Sequence, residues 1–523
     1  MIHRAPAVLA CVALAFVSPL SAADEAAAAP AVSNEPATAP APDSAPLTLA
    51  EAVRQALEKN YTIQVEQRTR AIADTGVSLA YSRFDPRLVF SYTKSRENQP
   101  SGTDEQTGED LPPSIYDNAI YDGKLEGELP LGLSYRLSAS TNNPRGAFND
   151  PMRPDFDYWN AFSGVSGSLP LLRDFGGAST STAIRIAKTD RTISEWEFQA
   201  TLINTVTRVV YAYDELLFAR ANLAIARRLR ENAASLHREN QERFRVGAMS
   251  DFDVLSAQAR VATREEGVLL AENAERDAAN LLKQLISDEK SAALLSRTIV
   301  LPDVVVPGEF QTDVQADIHV ALQRRPDYQQ ARLALQRNDL DYRLYRNQLL
   351  PAVDVYGSYG YAGVANDYKD SRDSVKDRDH PAYSAGVSVT IPITSYAERA
   401  RYRSARLARE RAEIALNSLE QDIVVAVGSA ADNIRTTWQR VLSTRASREL
   451  SERTLSAELK RLRAGTGNTF FVLQQQEILA NDEGREARAI VAYRNAIAEY
   501  DRQLGRTLER HRLEVASGTQ TAP

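Results

Sequence analysis

The sequence is short of the residues that build chemical sites. Its 523 residues include one cysteine, five histidines and three methionines. A lone cysteine, Cys11, allows no internal disulfide and no thiolate metal site. The histidines, His3, His237, His319, His380 and His511, are scattered without ligand spacing. No Ser or Cys sits in a recognisable nucleophile elbow. No catalytic set, metal or cofactor is therefore expected. Positive charge is not concentrated either: 62 basic residues face 69 acidic ones, for a net charge of −7. Without a basic stripe, nucleic acid is not an expected partner.

Long apolar runs are also missing, with one exception. Residues 5–20 are charge-free and mostly apolar, preceded by His3 and Arg4 and followed by Ser21-Ala22-Ala23. This reads as a cleaved secretory signal over 1–23, too short for a stable span. Val8-Leu9-Ala10-Cys11 loosely matches a lipoprotein cleavage box, but the apolar run continues past the cysteine. Removing the signal removes Cys11 and leaves a cysteine-free chain, which suits an exported protein. With no further helical span, a membrane protein of this sequence has to be a β-barrel. Proline is absent from 171–301 and from 393–522. Both tracts can hold long unbroken helices.

What is present has a clear order. Residues 24–46 are mostly Ala, Pro and small polar or acidic, and are expected to be a disordered spacer. Residues 47–82 have helical spacing, with Thr48 and Glu51 placed for a capping box. From Arg87 the apolar period becomes two: Leu88, Phe90 and Tyr92, then Leu125 and Leu129, then Leu133, Tyr135, Leu137 and Ala139, then Trp159, Ala161, Val165 and Leu169. Four strands are expected over 87–169. Their alternation and aromatic ends fit a membrane β-barrel wall, or an ordinary half-buried sheet. Next comes a helix over about 181–245, with Leu202, Val206, Val209, Tyr213, Leu216 and Leu223 on one seam. It would run about 65 residues, roughly 95 Å at 1.5 Å per residue. A glycine turn at 246–251, capped by Ser250 or Asp251, leads into a helix reaching about Ser287. Residues 297–310, with Pro302 and Pro307, read as irregular.

The pattern then returns. Ala321-Leu322 stands to Pro351 as Ala56-Leu57 stands to Pro86. Strands are expected over 352–391, then a long helix seamed by Ile423, Val427, Ala430, Ile434 and Val441, a turn at 464–469, and a last helix to about Leu508. The two turns align residue by residue. RFRVGAMSDFDVLSAQ (243–258) and RLRAGTGNTFFVLQQQ (461–476) share Arg243/Arg461, Arg245/Arg463, Gly247/Gly465, Phe252/Phe470, Val254/Val472, Leu255/Leu473 and Gln258/Gln476. The chain thus divides into a first repeat (47–310), a second (311–510) and a tail (511–523). Two helices of about 35 residues laid end to end match one of about 65, so each repeat can form a layer roughly 100 Å long. Such helices line a tube rather than close a globule.

Several motifs carry a resemblance over nearly the whole chain. They are Leu47-Thr48-Leu49-Ala50-Glu51-Ala52, the Arg-x-x-x-Gly-x-x-Ser-x-x-Asp-Val-Leu-x-x-Gln run from Arg243, Arg325-Pro326-Asp327, Leu350-Pro351, and Gly465 with Val472-Leu473. In these the sequence resembles the TolC-type outer-membrane efflux and secretion channels. The resemblance implies a mixed α and β membrane protein: a homotrimer sharing one transmembrane β-barrel in outer-membrane lipid, continued by a long periplasmic α-helical barrel. It implies a passive exit duct, whose helix tips dock a periplasmic adaptor that links to an inner-membrane pump. The docking residues it points to are Arg243, Gly247, Ser250, Asp253, Arg461, Gly465 and Asn468. The pore gate falls on Phe471 and Gln474. The alternative without a channel is a periplasmic coiled-coil scaffold.

The sequence departs from that family in two places. The first strand region is about twice the usual length and would bring a trimer to about 18 strands, unless the extra hairpin folds outside the wall. At the second tip the best-known pattern reads Asp-Val-Leu-Asp, and here the residues are Phe471-Val472-Leu473-Gln474. The entrance is then expected to be apolar, of a kind that closes by dewetting. A carboxylate at the first tip survives as Asp253, but the tyrosine and arginine that would hold it are replaced by Leu462 and Gly467. Arg461 or Arg463 is the candidate substitute.

Overall fold

The computed structural model describes residues 46–99, 103, 108, 114–147, 155–302, 306–464, 466 and 469–513. The expected signal segment, nearly all of the expected spacer and the end of the tail lie outside these residues. The helices are α1 (Leu49–Lys59), α2 (Tyr61–Tyr81), α3 (Ala178–Arg245), α4 (Asp251–Ile286), α5 (Ala293–Ser296), α6 (Val314–Arg324), α7 (Pro326–Asn347), α8 (Tyr368–Asp377), α9 (Tyr396–Arg463), α10 (Thr469–Gln503) and α11 (Thr507–Arg510). The strands are β1 (Arg87–Gln99), β2 (Ser114–Glu128), β3 (Ser134–Ala147), the two-residue β4 (Phe156–Asp157), β5 (Trp159–Pro170), β6 (Ala352–Ala365) and β7 (Pro381–Thr390). The fold is therefore mixed α and β.

Both proline-free tracts open with a helix of 68 residues, α3 and α9, each about 100 Å long. The seam residues Leu202, Val206, Val209, Tyr213, Leu216 and Leu223 are buried, as are Ile423, Val427, Ala430, Ile434 and Val441. α3 pairs with α4 and α9 with α10. Arg220–Glu275 at 3.2 Å and Arg227–Glu272 at 2.9 Å tie the first pair. Arg445 and Arg448, 3.2 and 2.5 Å from Glu486, and Ser451 on Asp482 at 2.5 Å tie the second. Two apolar cores lie where short helices pack on these pairs. One joins Val53 and Ala56 of α1 to Val209, Leu216 and Leu282. The other joins Ala321 of α6 to Ile423, Tyr493 and Tyr500.

The single helix expected over 47–82 is broken at Asn60. Its backbone is extended (ψ 124°) and its side chain accepts from the Thr62 amide, capping α2. Its Nδ2 also donates to the Leu285 carbonyl at 2.9 Å, pinning the break to α4. The equivalent break at Arg325 has a local cause, since Pro326 opens α7. The capping box at α1 is half made. Thr48 accepts from the Glu51 amide at 3.2 Å, but the Glu51 carboxylate turns to Arg54 and Gln55. The last long helix ends at Gln503, before Gly505 at φ +69°, short of the expected Leu508.

The strands form one antiparallel sheet in the order β1-β2-β3-β5-β6-β7, with β4 beside β3. Paired residues share a face, so the register gives continuous rows across the sheet. One row runs Leu88, Leu125, Leu137, Val165, Tyr359, Tyr383. Rows on the same face hold Phe90 and Tyr361, Tyr92 and Tyr121, and Val355 and Val387. Leu88, Phe90, Tyr92, Leu137, Val165, Tyr359, Tyr383 and Val387 are all exposed. The opposite face reads Arg87, Glu126, Arg136, Ser166, Ser358, Ser384 along one row. It is polar, with Arg136 3.3 Å from Glu126.

Sheet and helices join through tight turns. Leu171 donates to the Val353 carbonyl at 2.7 Å. Gly177 leads into α3 at φ +67°, and a Cβ there would lie 2.5 Å from the Pro130 carbonyl oxygen, so only glycine fits. Among the described residues no helix is long and apolar enough to cross a membrane.

Candidate functional site

The two helix turns are built by helix-capping chemistry. At the end of α3, Gly247 sits at φ +71°. Its amide donates to the Phe244 carbonyl at 2.9 Å, and the Ala248 amide donates to the Arg243 carbonyl at 2.8 Å. These are the two bonds of a Schellman cap. At the end of α9 the Thr466 amide donates to the Arg461 carbonyl at 3.1 Å. Arg461 and Thr466 align with Arg243 and Ala248, so the turns share this closing bond. Gly465, Gly467 and Asn468 lie outside the described residues.

The helices that the turns lead into begin differently. Ser250 caps α4, accepting from the Asp253 amide, and its hydroxyl donates to Asp253 Oδ2 at 2.5 Å. Asp253 Oδ2 also accepts from the Ser250 amide at 3.4 Å. Asp253 is engaged by the residue three positions before it, and Arg461 turns instead to Glu458 at 2.8 Å. Arg243 pairs with Glu239, one helical turn back. Both partners are local because a contact within one turn costs far less chain entropy than one between hairpins.

The start of α10 is apolar and open. Phe470 and Phe471 are 57% and 52% exposed, with their rings edge to face at 5.7 Å. Gln474 is exposed, whereas Val472 is buried. Exposed positions continue at helical steps through Glu477, Ile478, Asn481, Arg485 and Arg488. Phe471 and Gln474 thus begin one uncovered stripe along α10 within the single chain. The first turn presents Phe252, 77% exposed, with Val246 and Leu255. Arg264 of α4 reaches Glu477 of α10 at 3.1 Å, and a shallow groove lined by Arg260, Leu473 and Gln476 lies there.

A third feature was not among the expected site residues. Four polar pairs link α3 to α10. They are Tyr211 on Glu499 at 2.8 Å, Asp214 with Arg494, Glu215 with Arg488 at 2.6 Å, and Arg228 with Glu483. Asp214 is 0% exposed. Arg494 Nε and Nη2 both lie 2.8 Å from its Oδ1, and its Oδ2 has no hydrogen-bond partner. Burial pushes the Asp214 carboxyl up to about 6 despite the Arg494 guanidinium beside it. The sequence held one hint, a charge at position 214 inside an otherwise apolar seam. Among the described residues no cluster of His, Cys, Asp and Glu could hold a metal ion.

Known proteins match this arrangement. The sequence profile described as outer membrane efflux protein (OEP) covers residues 128–287 and 318–506. The chain belongs to the outer membrane efflux protein family. Its place is the outer membrane, with the helical part extending into the periplasm. This efflux protein is 22% identical to the outer membrane protein TolC of Vibrio cholerae over 405 residues, 76% of this chain and 85% of that one. Its fold is similar to the CmeC outer membrane channel of Campylobacter jejuni (TM-score 0.65, 17% identity, 88% of this chain and 86% of that one). It is also similar to the outer membrane protein VceC of Vibrio cholerae (TM-score 0.62, 15% identity, 87% and 96%). The profile's first segment begins at the last residue of β2, so the family match leaves out most of the β1–β2 hairpin.

Proposed function

We propose that this outer membrane efflux protein is the exit duct of a tripartite efflux pump or a type I secretion system. In this reading three copies close one barrel from their sheets and one helical tube from α3, α4, α9 and α10. The two halves, 47–310 and 311–510, are repeats of one unit. The duct is passive, and the inner-membrane transporter supplies the energy. A periplasmic adaptor joins the two, docking on the tips through Arg243, Gly247, Ser250 and Asp253 and through Arg461, Gly465 and Asn468. Phe471 and Gln474 form the entrance gate.

The observation that carries this reading is the sheet. One face is apolar and exposed along rows that cross all six long strands, and the other is polar. That division suits lipid outside and water inside. Helices about 100 Å long suit a conduit between membranes more than a packed domain. The exposed apolar Phe252 at one tip and Phe471 at the other suit protein contact and pore closure.

Size and detergent dependence test the assembly. The protein is expected to need detergent, and to elute at about three times its 57.7 kDa chain mass after correction for the micelle. A monomer that stays soluble without detergent would contradict the duct and favour the coiled-coil scaffold.

A further inference from the structure

The two halves match in their long helices and differ in their strands. α1 and α2 have 11 and 21 residues, and α6 and α7 have 11 and 22. α4 has 36 and α10 has 35. Yet among the described residues the first half holds four long strands and the second holds two. The surplus hairpin, β1–β2, lies with α1 and α2 ahead of the first segment that the family profile matches. It can stand in the membrane wall, or it can fold away from it.

The register separates these options. β1 pairs with β2 over 13 residues and β2 with β3 over 14, without a slip. Along these pairings Leu88, Phe90 and Tyr92 fall on the face that carries Leu137, Val165, Tyr359 and Val387. A hairpin standing in water needs no such match, and a shift of one residue would turn its apolar set to the wrong side. On the other face the hairpin contributes Arg87, Lys124, Asp122 and Glu126 beside Arg136 of β3. β5 and β7 bring no charged residue to that face.

The sheet is also open. Its order leaves β1 and β7 as edges. An edge in hydrocarbon costs several kcal/mol for each unpaired backbone group, so the wall has to close. Six strands are fewer than the eight of the smallest membrane barrels, so one chain cannot close it alone. β1 leads away from the helices and β7 returns to them. An edge-to-edge contact between copies is therefore antiparallel, like every other pairing in the sheet.

We infer that β1–β2 is part of the membrane wall and that β1 is the strand by which one copy joins β7 of the next. Three copies then close about 18 strands. Barrel diameter grows roughly linearly with strand number, so the exit is about half again as wide as that of a ring with four strands per chain. Most of the charge on its lining comes from β1, β2 and β3, with Asp354 of β6 on the same face. The inference rests on the outer-membrane duct proposed above.

Disulfide trapping in outer membranes tests it. Phe90→Cys on β1 is combined in turn with Tyr383→Cys, Ala385→Cys, Val387→Cys or Val389→Cys on β7, all on the outward face. A parallel set replaces Phe90→Cys with Leu137→Cys on β3. Each single-cysteine variant controls for Cys11. After oxidation, at least one Phe90→Cys combination is expected to give dimer and trimer bands that reductant removes, while the Leu137→Cys set stays monomeric on the denaturing gel. Bands from Leu137→Cys and none from Phe90→Cys would place the hairpin outside the wall and overturn the inference. A trimer by native electrophoresis with neither set of bands would overturn the edge pairing alone. A monomer by native electrophoresis would overturn the duct as well.

Discussion

Replacing Phe471 with alanine is expected to leave the pore persistently open. Phe471 lies on the first turn of α10, beside Phe470, on a stripe that the single chain leaves uncovered. In a ring of three copies, three such side chains at the entrance would make a narrow apolar throat, which closes by excluding water. Burying a Phe side chain is worth roughly 1.5–3 kcal/mol. Losing about 1.4 kcal/mol of closed-state stabilisation over the whole ring shifts the open-to-closed ratio about tenfold. Phe471→Ala should therefore raise the open-to-closed ratio of single channels in planar bilayers by about that factor. Gln474→Ala, which removes no large apolar surface, should change it far less. An unchanged open fraction in Phe471→Ala would remove this residue from the gate.

Arg494→Ala is expected to cost about 3–5 kcal/mol of stability, the range for breaking a buried ion pair from one side. Asp214 has no exposure, one of its oxygens lacks a partner, and the other takes both 2.8 Å contacts from Arg494. The sign of the pH dependence is set by the Asp214 carboxyl, which rises from 3.8 to about 6 on burial. Between those values the folded chain binds more protons at this site than the unfolded one. The site's contribution therefore falls as pH rises through that window. Without Arg494 the folded value moves higher still, and the penalty extends upward in pH. Arg494→Ala should thus lose more stability at pH 8 than at pH 5 in thermal unfolding monitored by helix signal. Adding Asp214→Asn to it should recover most of the loss and flatten the difference. Equal losses at both pH values would mean that the Asp214 charge does not depend on Arg494.

These two positions differ in how visible they were in the sequence. Phe471 stands in a turn whose chemistry is local. In the first turn a glycine at φ > 0 and a serine cap lie within ten residues, and the seven shared residues let 461–476 be aligned with 243–258 by inspection. The strands were legible for a similar reason, because alternation has a period of two and the residues that share a face are near neighbours. Asp214 and Arg494 are 280 positions apart, and no local pattern joins them. Asn60 was hidden differently. Helical spacing runs through it, and only its capping of Thr62 and its bond to the Leu285 carbonyl reveal the break. α8 left little trace because YKDSRDSVKD has only Tyr368 and Val375 as apolar residues. It forms where Asp367 caps it by accepting from the Lys369 amide, and where Tyr368 packs edge-on to Trp159 at 5.2 Å. The Ser250–Asp253 bond spans three residues and was legible as a possible helix cap.

Whether this chain forms a water-filled duct through the outer membrane is tested most directly by single-channel recording. The purified full-length protein is reconstituted into planar bilayers. Discrete, uniform conductance steps are expected, with open times lengthened by Phe471→Ala. A correctly assembled protein that inserts and gives no steps, in either the natural form or the Phe471→Ala form, would contradict the duct.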